Sequence, residues 1–528
     1  MKIKLDYIFV LIILLAVSQY FIVSLNSPIV FGDEGYYAST SRWIAENHII
    51  PEFRPLAENA AIKDRADIIP MFFMTETFFF YFGEIGPKLM FPLLALIAAL
   101  TTYTLVKSLS NKKTAFFAAL TLIFTPAFIT YGVMGYVDIL LFILITSTMI
   151  FTLKAFKTEK KTDMILAGIF SAFCVLTKIS GPTIFFFIIL YTLSLFRGKA
   201  DLSNWNKNYI KTFLIICLIA FLFIAPLLIR NISLFGDVCY RNFAINKENC
   251  GYVYLQNVEN IDSLEYASRN TGTSTEAGLI NFGILNYFNF AHGLIITILL
   301  IIGLGLSISE LKNKNILKIS IISLLASIPI IIFSLERAED TARYMLPMNI
   351  GIVMIIGFLL NAIYENSKKI NKYLAITIIV IILFYMWGPI SDPSWGSGQQ
   401  KIDTMKSVKQ FSPGFIDACN WVKENTPQNA VLLSTYEYHT RYQCNRNSII
   451  GESKGEVFLS FNDTSYDYMK LNGITHIFVI KSLISEGKFS ENYPIEFINY
   501  IENSNKFKQI FDNEQSFGPN SIIIYEVL

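Results

Sequence analysis

A chain of 528 residues that is 53% apolar and only 16% charged is too greasy for a soluble fold of this length, because soluble domains carry about a quarter charged residues. The net charge of +2 is close to balance, and no long basic block points to nucleic acid as a partner. What remains is a membrane-embedded chain with a smaller soluble part.

Apolar runs long enough to cross a bilayer recur along the first 390 or so residues. They fall at 7–25, 87–109, 114–132, 139–156, 163–180, 182–196, 209–229, 285–307, 317–334, 345–364 and 373–390. The first run follows Lys2 and Lys4, and no small-x-small cleavage pattern follows it. It therefore reads as a retained first helix rather than a cleaved leader. The stretch 68–82 is apolar but only about 15 residues long, which suits a helix lying at the membrane surface better than a span.

Lysine and arginine orient the stack. They cluster in every second connection: at Lys107, Lys112 and Lys113, at Lys154 to Lys161, at Arg197 to Lys211, at Lys312 to Lys318, and at Lys368 to Lys372. Positively charged loops stay on the cytoplasmic side, so the alternation predicts about eleven spans, a cytoplasmic N-terminus and a C-terminus outside. The outer segments are then 26–67, 133–138, 230–284, 335–344 and a polar tail, 391–528. Within the tail, the amphipathic stretch Phe415–Glu424 alternates with β-rich runs at Ala430–Leu433, Ile477–Ile480 and Ile522–Tyr525. Two domains are expected: an all-α polytopic membrane domain, 1–390, and a small extracytoplasmic α/β domain, 391–528. Cys239, Cys250, Cys419 and Cys444 all lie on outer segments, where disulfides form, and Cys239–Cys250 and Cys419–Cys444 are the expected pairs.

Residues with chemistry gather on those same outer segments. Asp33 and Glu34 stand side by side in Gly32-Asp33-Glu34-Gly35-Tyr36-Tyr37, just past the first span. They read either as the start of a helix, where acids are favoured, or as a general base at the membrane surface. Asp138 opens a span that is otherwise free of charge over its apolar length, and acids within or beside spans are functional candidates. Lys63, Arg65, Lys178, Arg230, Arg241, Arg269, Arg337 and Arg343 supply cations on the same side. A lone cation at a helix end commonly reaches for headgroups, whereas several beside two acids form a plausible anion site. Only four histidines are present, and there is no phosphate-binding glycine loop and no Gly-x-Ser-x-Gly elbow.

The order of these motifs resembles the protein O-mannosyltransferase and aminoarabinose-transferase-like glycosyltransferases of GT-C fold. The elements that carry the resemblance are Gly32-Asp33-Glu34-Gly35-Tyr36-Tyr37, Thr125-Pro126-Ala127-Phe128 through Asp138, Leu176-Thr177-Lys178, Arg230-Asn231 with Gly236, and Arg343-Tyr344 with Pro347. The lysine-proline-proline-leucine element of such relatives is replaced here by Lys63-Asp64-Arg65-Ala66-Asp67-Ile68-Ile69-Pro70. No Trp-Trp-Asp motif occurs, which argues against whole-oligosaccharide transfer to asparagine.

The resemblance implies a polyprenyl- or dolichyl-phosphate sugar as donor and a protein or glycolipid as acceptor. It implies Asp33 as general base, with Glu34 and Asp138 orienting it, binding sugar hydroxyls or sharing a divalent metal (Asp33 and Asp138 as its ligands). It further implies Lys63, Arg65, Lys178, Arg230, Arg337 and Arg343 as the cations around the donor phosphate. A transporter or lipid flippase without transferase activity is the competing expectation. It would place its polar groups near the membrane midplane.

Overall fold

The computed structural model describes residues 5–25, 34–51, 62–64, 69–133, 135–178, 180–196, 207–238, 252–254, 294–310, 315–329, 346, 349–371, 373–374, 377–378, 380–382, 413–434, 437–450, 463–471, 473–485 and 493–528. The helices α1 (Leu5–Leu25), α2 (Glu34–Asn47), α3 (Pro70–Phe80), α4 (Ile85–Leu109), α5 (Lys112–Phe124), α6 (Pro126–Val133), α7 (Asp138–Thr158), α8 (Lys161–Val175), α9 (Thr183–Phe196) and α10 (Lys207–Phe235) come first. After them follow α11 (Leu294–Glu310), α12 (Asn315–Ala326) and α13 (Asn349–Ile370). One apolar core runs through the bundle, from Val17 and Tyr20 on α1 through Phe91 and Ala98 on α4 to Val353 and Ile356 on α13.

Among the described residues, Ile85–Leu109, Asp138–Thr158, Asn208–Phe235 and Ile350–Ile370 are long and apolar enough to cross a membrane. Ile12–Leu25, Thr183–Leu195 and Asn315–Ala326 are apolar but shorter. The span expected at 373–390 lies mostly outside the described residues.

Three differences from the sequence expectation bear on the site. The run at 114–132 is two helices rather than one, broken at Thr125, whose backbone is extended (φ −70°, ψ 123°). The reason is Pro126, whose ring disfavours the helical region for the residue before it. The run at 163–180 ends as helix at Val175, so Thr177 and Lys178 sit in a tight turn, with the Gly181 N–H donating to the Lys178 carbonyl at 2.8 Å. A side chain at Gly181 would lie 1.9 Å from the Cys174 carbonyl oxygen, so only glycine lets this turn close. Finally, α10 continues past 229 to Phe235, which makes Arg230 and Asn231 helical rather than the start of a loop.

The C-terminal part is a compact α/β unit. Its strands are β3 (Val431–Ser434), β4 (Asn447–Ile450), β5 (His476–Ile480), β8 (Phe507–Asp512) and β9 (Ile522–Val527); the short pairs β1 (Ile62–Asp64) with β2 (Tyr252–Tyr254) and β6 (Ile484–Ser485) with β7 (Tyr493–Pro494) lie apart from that sheet. The sheet order is β4-β3-β5-β9-β8, parallel from β4 to β5 and antiparallel across β9 and β8. Side chains alternate across it, as the two-residue period of a strand demands. Leu432, Phe478, Ile522 and Ile524 face α14 (Pro413–Asn425) through Phe415, Ala418 and Val422. Leu433, Ile477, Val479 and Ile523 form the opposite layer with Met469 of α16 (Asp463–Leu471) and Phe497, Ile498 and Ile501 of α17 (Ile495–Asn503). The helix and the three strand runs expected from the sequence are all present. The Cys419–Cys444 disulfide forms and ties α14 to the end of α15 (Glu437–Cys444), whereas Cys239 and Cys250 lie outside the described residues.

Candidate active site

α2 organises the candidate site. It is a polar sequence, Glu34-Gly35-Tyr36-Tyr37-Ala38-Ser39-Thr40-Ser41-Arg42, yet most of it is buried. Buried polar groups must find partners, and those partners tie other parts of the chain to this helix. Glu34 lies in its first turn, where the helix dipole favours an acid. Its Oε1 accepts the Gly135 backbone N–H at 2.9 Å. A Cβ at position 135 would lie 2.3 Å from the Glu34 Cγ, so the approach depends on glycine. Tyr36 and Tyr37 pack edge-on against Phe73 and Phe72 of α3, with centroids 5.8 and 4.9 Å apart. Farther along, the Ser41 hydroxyl donates to Glu76 Oε2 at 2.8 Å, and Thr77 Oγ1 donates to the Ser41 carbonyl at 3.1 Å.

Three residues beyond Gly135, Asp138 opens α7. It is fully buried and ion-paired to Lys178, which is only 2% exposed, in the turn after α8. The two charges are 40 residues apart in sequence. The same turn is joined to α3, because the Met71 N–H donates to the Leu176 carbonyl at 3.3 Å. Lys178 was expected to sit with water or headgroups at a helix end. It instead lies in the interior, because α7 and α8 pack along their length and the closed turn draws the ammonium inward onto Asp138.

The remaining cations divide into those the structure describes and those it does not. Arg230, near the end of α10, donates to Asn231 Oδ1 and to the Pro51 carbonyl, both at 3.0 Å, so it meets the segment that follows α2. Lys63 is described through its backbone alone, in β1, opposite Val253 of β2. Asp33, Arg65, Arg241, Arg269, Arg337 and Arg343 lie outside the described residues. Of the two acids expected to share a metal, Asp138 is the described one, and its partner is Lys178. Among the described residues no three His, Cys, Asp or Glu side chains come together as metal ligands.

Sequence reasoning missed three residues here. Glu76 was visible as the lone acid in an apolar run, the kind of residue that marks a site inside a membrane protein. Arg42 gave no such signal. From α2 its guanidinium contacts Glu84, the residue before α4, at 2.7 and 2.8 Å. It also donates to the Tyr442 carbonyl at 3.0 Å and stacks on the Tyr442 ring at 4.2 Å. The Tyr442 hydroxyl closes the set by donating to Glu84 at 2.8 Å, and burial pushes this phenol well above its ordinary range. The α/β unit is therefore seated on α2 through α15. Gly135 was the third, since nothing in sequence marks which glycine a distant carboxylate approaches.

Residues 70–229, from α3 into α10, match the family model described as dolichyl-phosphate-mannose-protein mannosyltransferase. This segment contains Glu76, Gly135, Asp138 and Lys178. No curated protein matches the chain by sequence. Among solved structures, the chain is similar to the apo oligosaccharyltransferase of Archaeoglobus fulgidus. The TM-score is 0.66 at 12% identity, over 91% of this chain and 70% of that one. It is also similar to ArnT from Cupriavidus metallidurans bound to undecaprenyl phosphate, with TM-score 0.60 and 13% identity over 99% and 97% of the two chains. A third likeness is to the mycobacterial arabinofuranosyltransferase AftD, with TM-score 0.58 and 12% identity, over 98% of this chain and 40% of that one. At such identities the likeness is one of fold, and the family match adds the sequence link. The chain has the multi-pass membrane fold of the GT-C glycosyltransferases, and its residues 70–229 are similar to the dolichyl-phosphate-mannose-protein mannosyltransferases.

Proposed function

We propose that this chain is a glycosyltransferase that moves a sugar from a polyprenyl- or dolichyl-phosphate donor to a protein or lipid-linked acceptor on the outer face of the membrane. The observation that carries the reading is the mannosyltransferase match over 70–229, on a fold shared with an undecaprenyl-phosphate-bound relative. It favours transfer over the transporter or flippase reading. The acceptor hydroxyl needs a base, and Asp33, directly before Glu34 in sequence, fills that role. Glu34, held on Gly135, orients it. As the acceptor oxygen attacks the anomeric carbon, the bond to the lipid phosphate breaks and the phosphate leaves with its negative charge. Cations fixed in advance around it lower the barrier. Arg230 is the described cation offered for this role, because it stands near the end of α10 against Pro51, in the segment that follows α2. Lys63, Arg65, Arg337 and Arg343 are the others. Lys178 acts through Asp138: the pair sets the start of α7 and adds no net charge to a site that must receive a phosphate. A divalent metal, if one is used, falls to Asp33 and Asp138.

Purified protein assayed with a panel of lipid-phosphate sugars tests this. Asp33→Asn should cut turnover by about 10²–10⁴-fold while leaving expression intact. Retention of more than about a third of wild-type turnover would remove Asp33 as the base. The membrane domain, 1–390, carries the chemistry in this reading, and the unit at 391–528 lies outside the cell with the N-terminus inside. A Ser453→Cys variant should then react with an impermeant thiol reagent on intact cells. Protection until lysis would reverse the orientation.

A further inference from the structure

α3 is an apolar helix with a single charged residue, Glu76, and at 11 residues it is too short to span. The Glu76 side chain is fully buried. Its Oε2 accepts from Ser41, while its Oε1 is buried with no hydrogen-bond partner among the described residues. The next residue, Thr77, bonds the Ser41 carbonyl. Two consecutive residues of α3 thus grip one residue of α2. Ser41 lies two helical turns beyond Glu34 and on the same face, so any sliding of α2 at Ser41 is transmitted to Glu34. Glu34 has little room to follow, because Gly135 meets it at contact distance.

On the transfer reading above, we propose that Glu76 is a positioning residue. As a neutral acid it holds α2 on α3 in the register that seats Glu34 at Gly135, and its ionisation releases that register.

The surroundings set the balance. Titratable groups on the neighbouring elements are Glu34, Tyr36, Tyr37, Arg42 and Glu46 on α2, Glu84 and Lys88 around the start of α4, Lys178 in the turn bonded to Met71, and Tyr442 on α15. Burial pushes the Glu76 carboxyl up to about 8, the Ser41 bond opposes this, and the charge of Glu34 adds to it. At neutral pH the group is therefore protonated. Once ionised, it is a buried carboxylate with one bare oxygen beside a second acid, and both burial and repulsion drive it toward water.

The test is a pH–rate profile of the full chain in detergent, with a polyprenyl-phosphate sugar as donor. Wild-type turnover should fall by about tenfold per pH unit above about pH 8. Glu76→Gln keeps an acceptor for Ser41 but cannot ionise. It should show no such fall up to about pH 9.5, with turnover at pH 7 within about threefold of wild type. Ser41→Ala removes the bond by which Glu76 grips α2 and which favours the ionised form, so turnover should drop at pH 7 and the remaining alkaline fall should move to higher pH. This variant decides the matter if Glu76→Gln does not fold.

No alkaline fall in the wild type, or one with the same midpoint in all three proteins, overturns the proposal. If the wild type turns over no lipid-phosphate sugar, the transfer reading fails separately, and unfolding judges Glu76. A folded-state pKa above the ordinary 4.5 gives stability that is full below that value and lost as pH rises to about 8. The wild-type unfolding temperature should fall over this window and that of Glu76→Gln should not. Equal slopes overturn the proposal on this arm too.

Discussion

Lys178→Met is the sharpest probe of how the bundle is built. The substitution keeps an unbranched chain of similar length and removes the ammonium. Asp138, with no exposed surface, then keeps a buried carboxyl from which the Lys178 ammonium has been removed. Leaving one member of a buried ion pair costs about 3–5 kcal/mol, whereas replacing both members by groups of similar size is often neutral or better. A Lys178→Met/Asp138→Leu double variant should therefore recover most of the loss, giving a coupling of about 2 kcal/mol or more between the positions. Chemical unfolding of the purified chain in mild detergent measures all four corners of the cycle. A single-variant loss under about 1 kcal/mol is the value for an exposed pair. It would mean that water reaches the ammonium and that the burial argument is wrong. Activity follows a different pattern: the double variant should stay inactive while folding well, because the Asp138 carboxylate is gone from the site. A stable and fully active double variant would take Asp138 out of the mechanism.

Two further outcomes follow from the packing. Gly135→Ala should drive Glu34 off its 2.9 Å bond, because the new Cβ falls 2.3 Å from the Glu34 Cγ. A loss of about 1–3 kcal/mol and at least about tenfold in turnover is expected, and unchanged turnover would show that Glu34 does not orient the base. Arg42→Ala should loosen the α/β unit from α2, read as faster limited proteolysis that separates the unit from the bundle. Arg42→Lys should restore only part of the protection, since lysine lacks the planar group that stacks on Tyr442.

Much of the architecture was legible in the residue order alone. Apolar runs of spanning length mark α4, α7, α10 and α13 because backbone bonds in a membrane must close within each helix. Short continuous apolar runs mark β3, β5 and β9, and the break before Pro126 is a local rule that the residues state openly. Cys419 and Cys444 also pair as their shared segment implied.

The site was legible as a set of residue types and not as a set of partners. Sequence placed Lys178 at a helix end and Asp138 at another, but their pairing across 40 residues depends on how α7 and α8 pack. Glu34 meets Gly135 across 101 residues, Ser41 meets Glu76 across 35, and Arg42 meets Tyr442 across 400. Helices and strands are specified by contacts a few residues apart, so their patterns survive in a linear reading. The environment of a charge, by contrast, is created when distant helices close around it. Only the tertiary structure decides which cation meets which acid and which carboxyl is shut away from water.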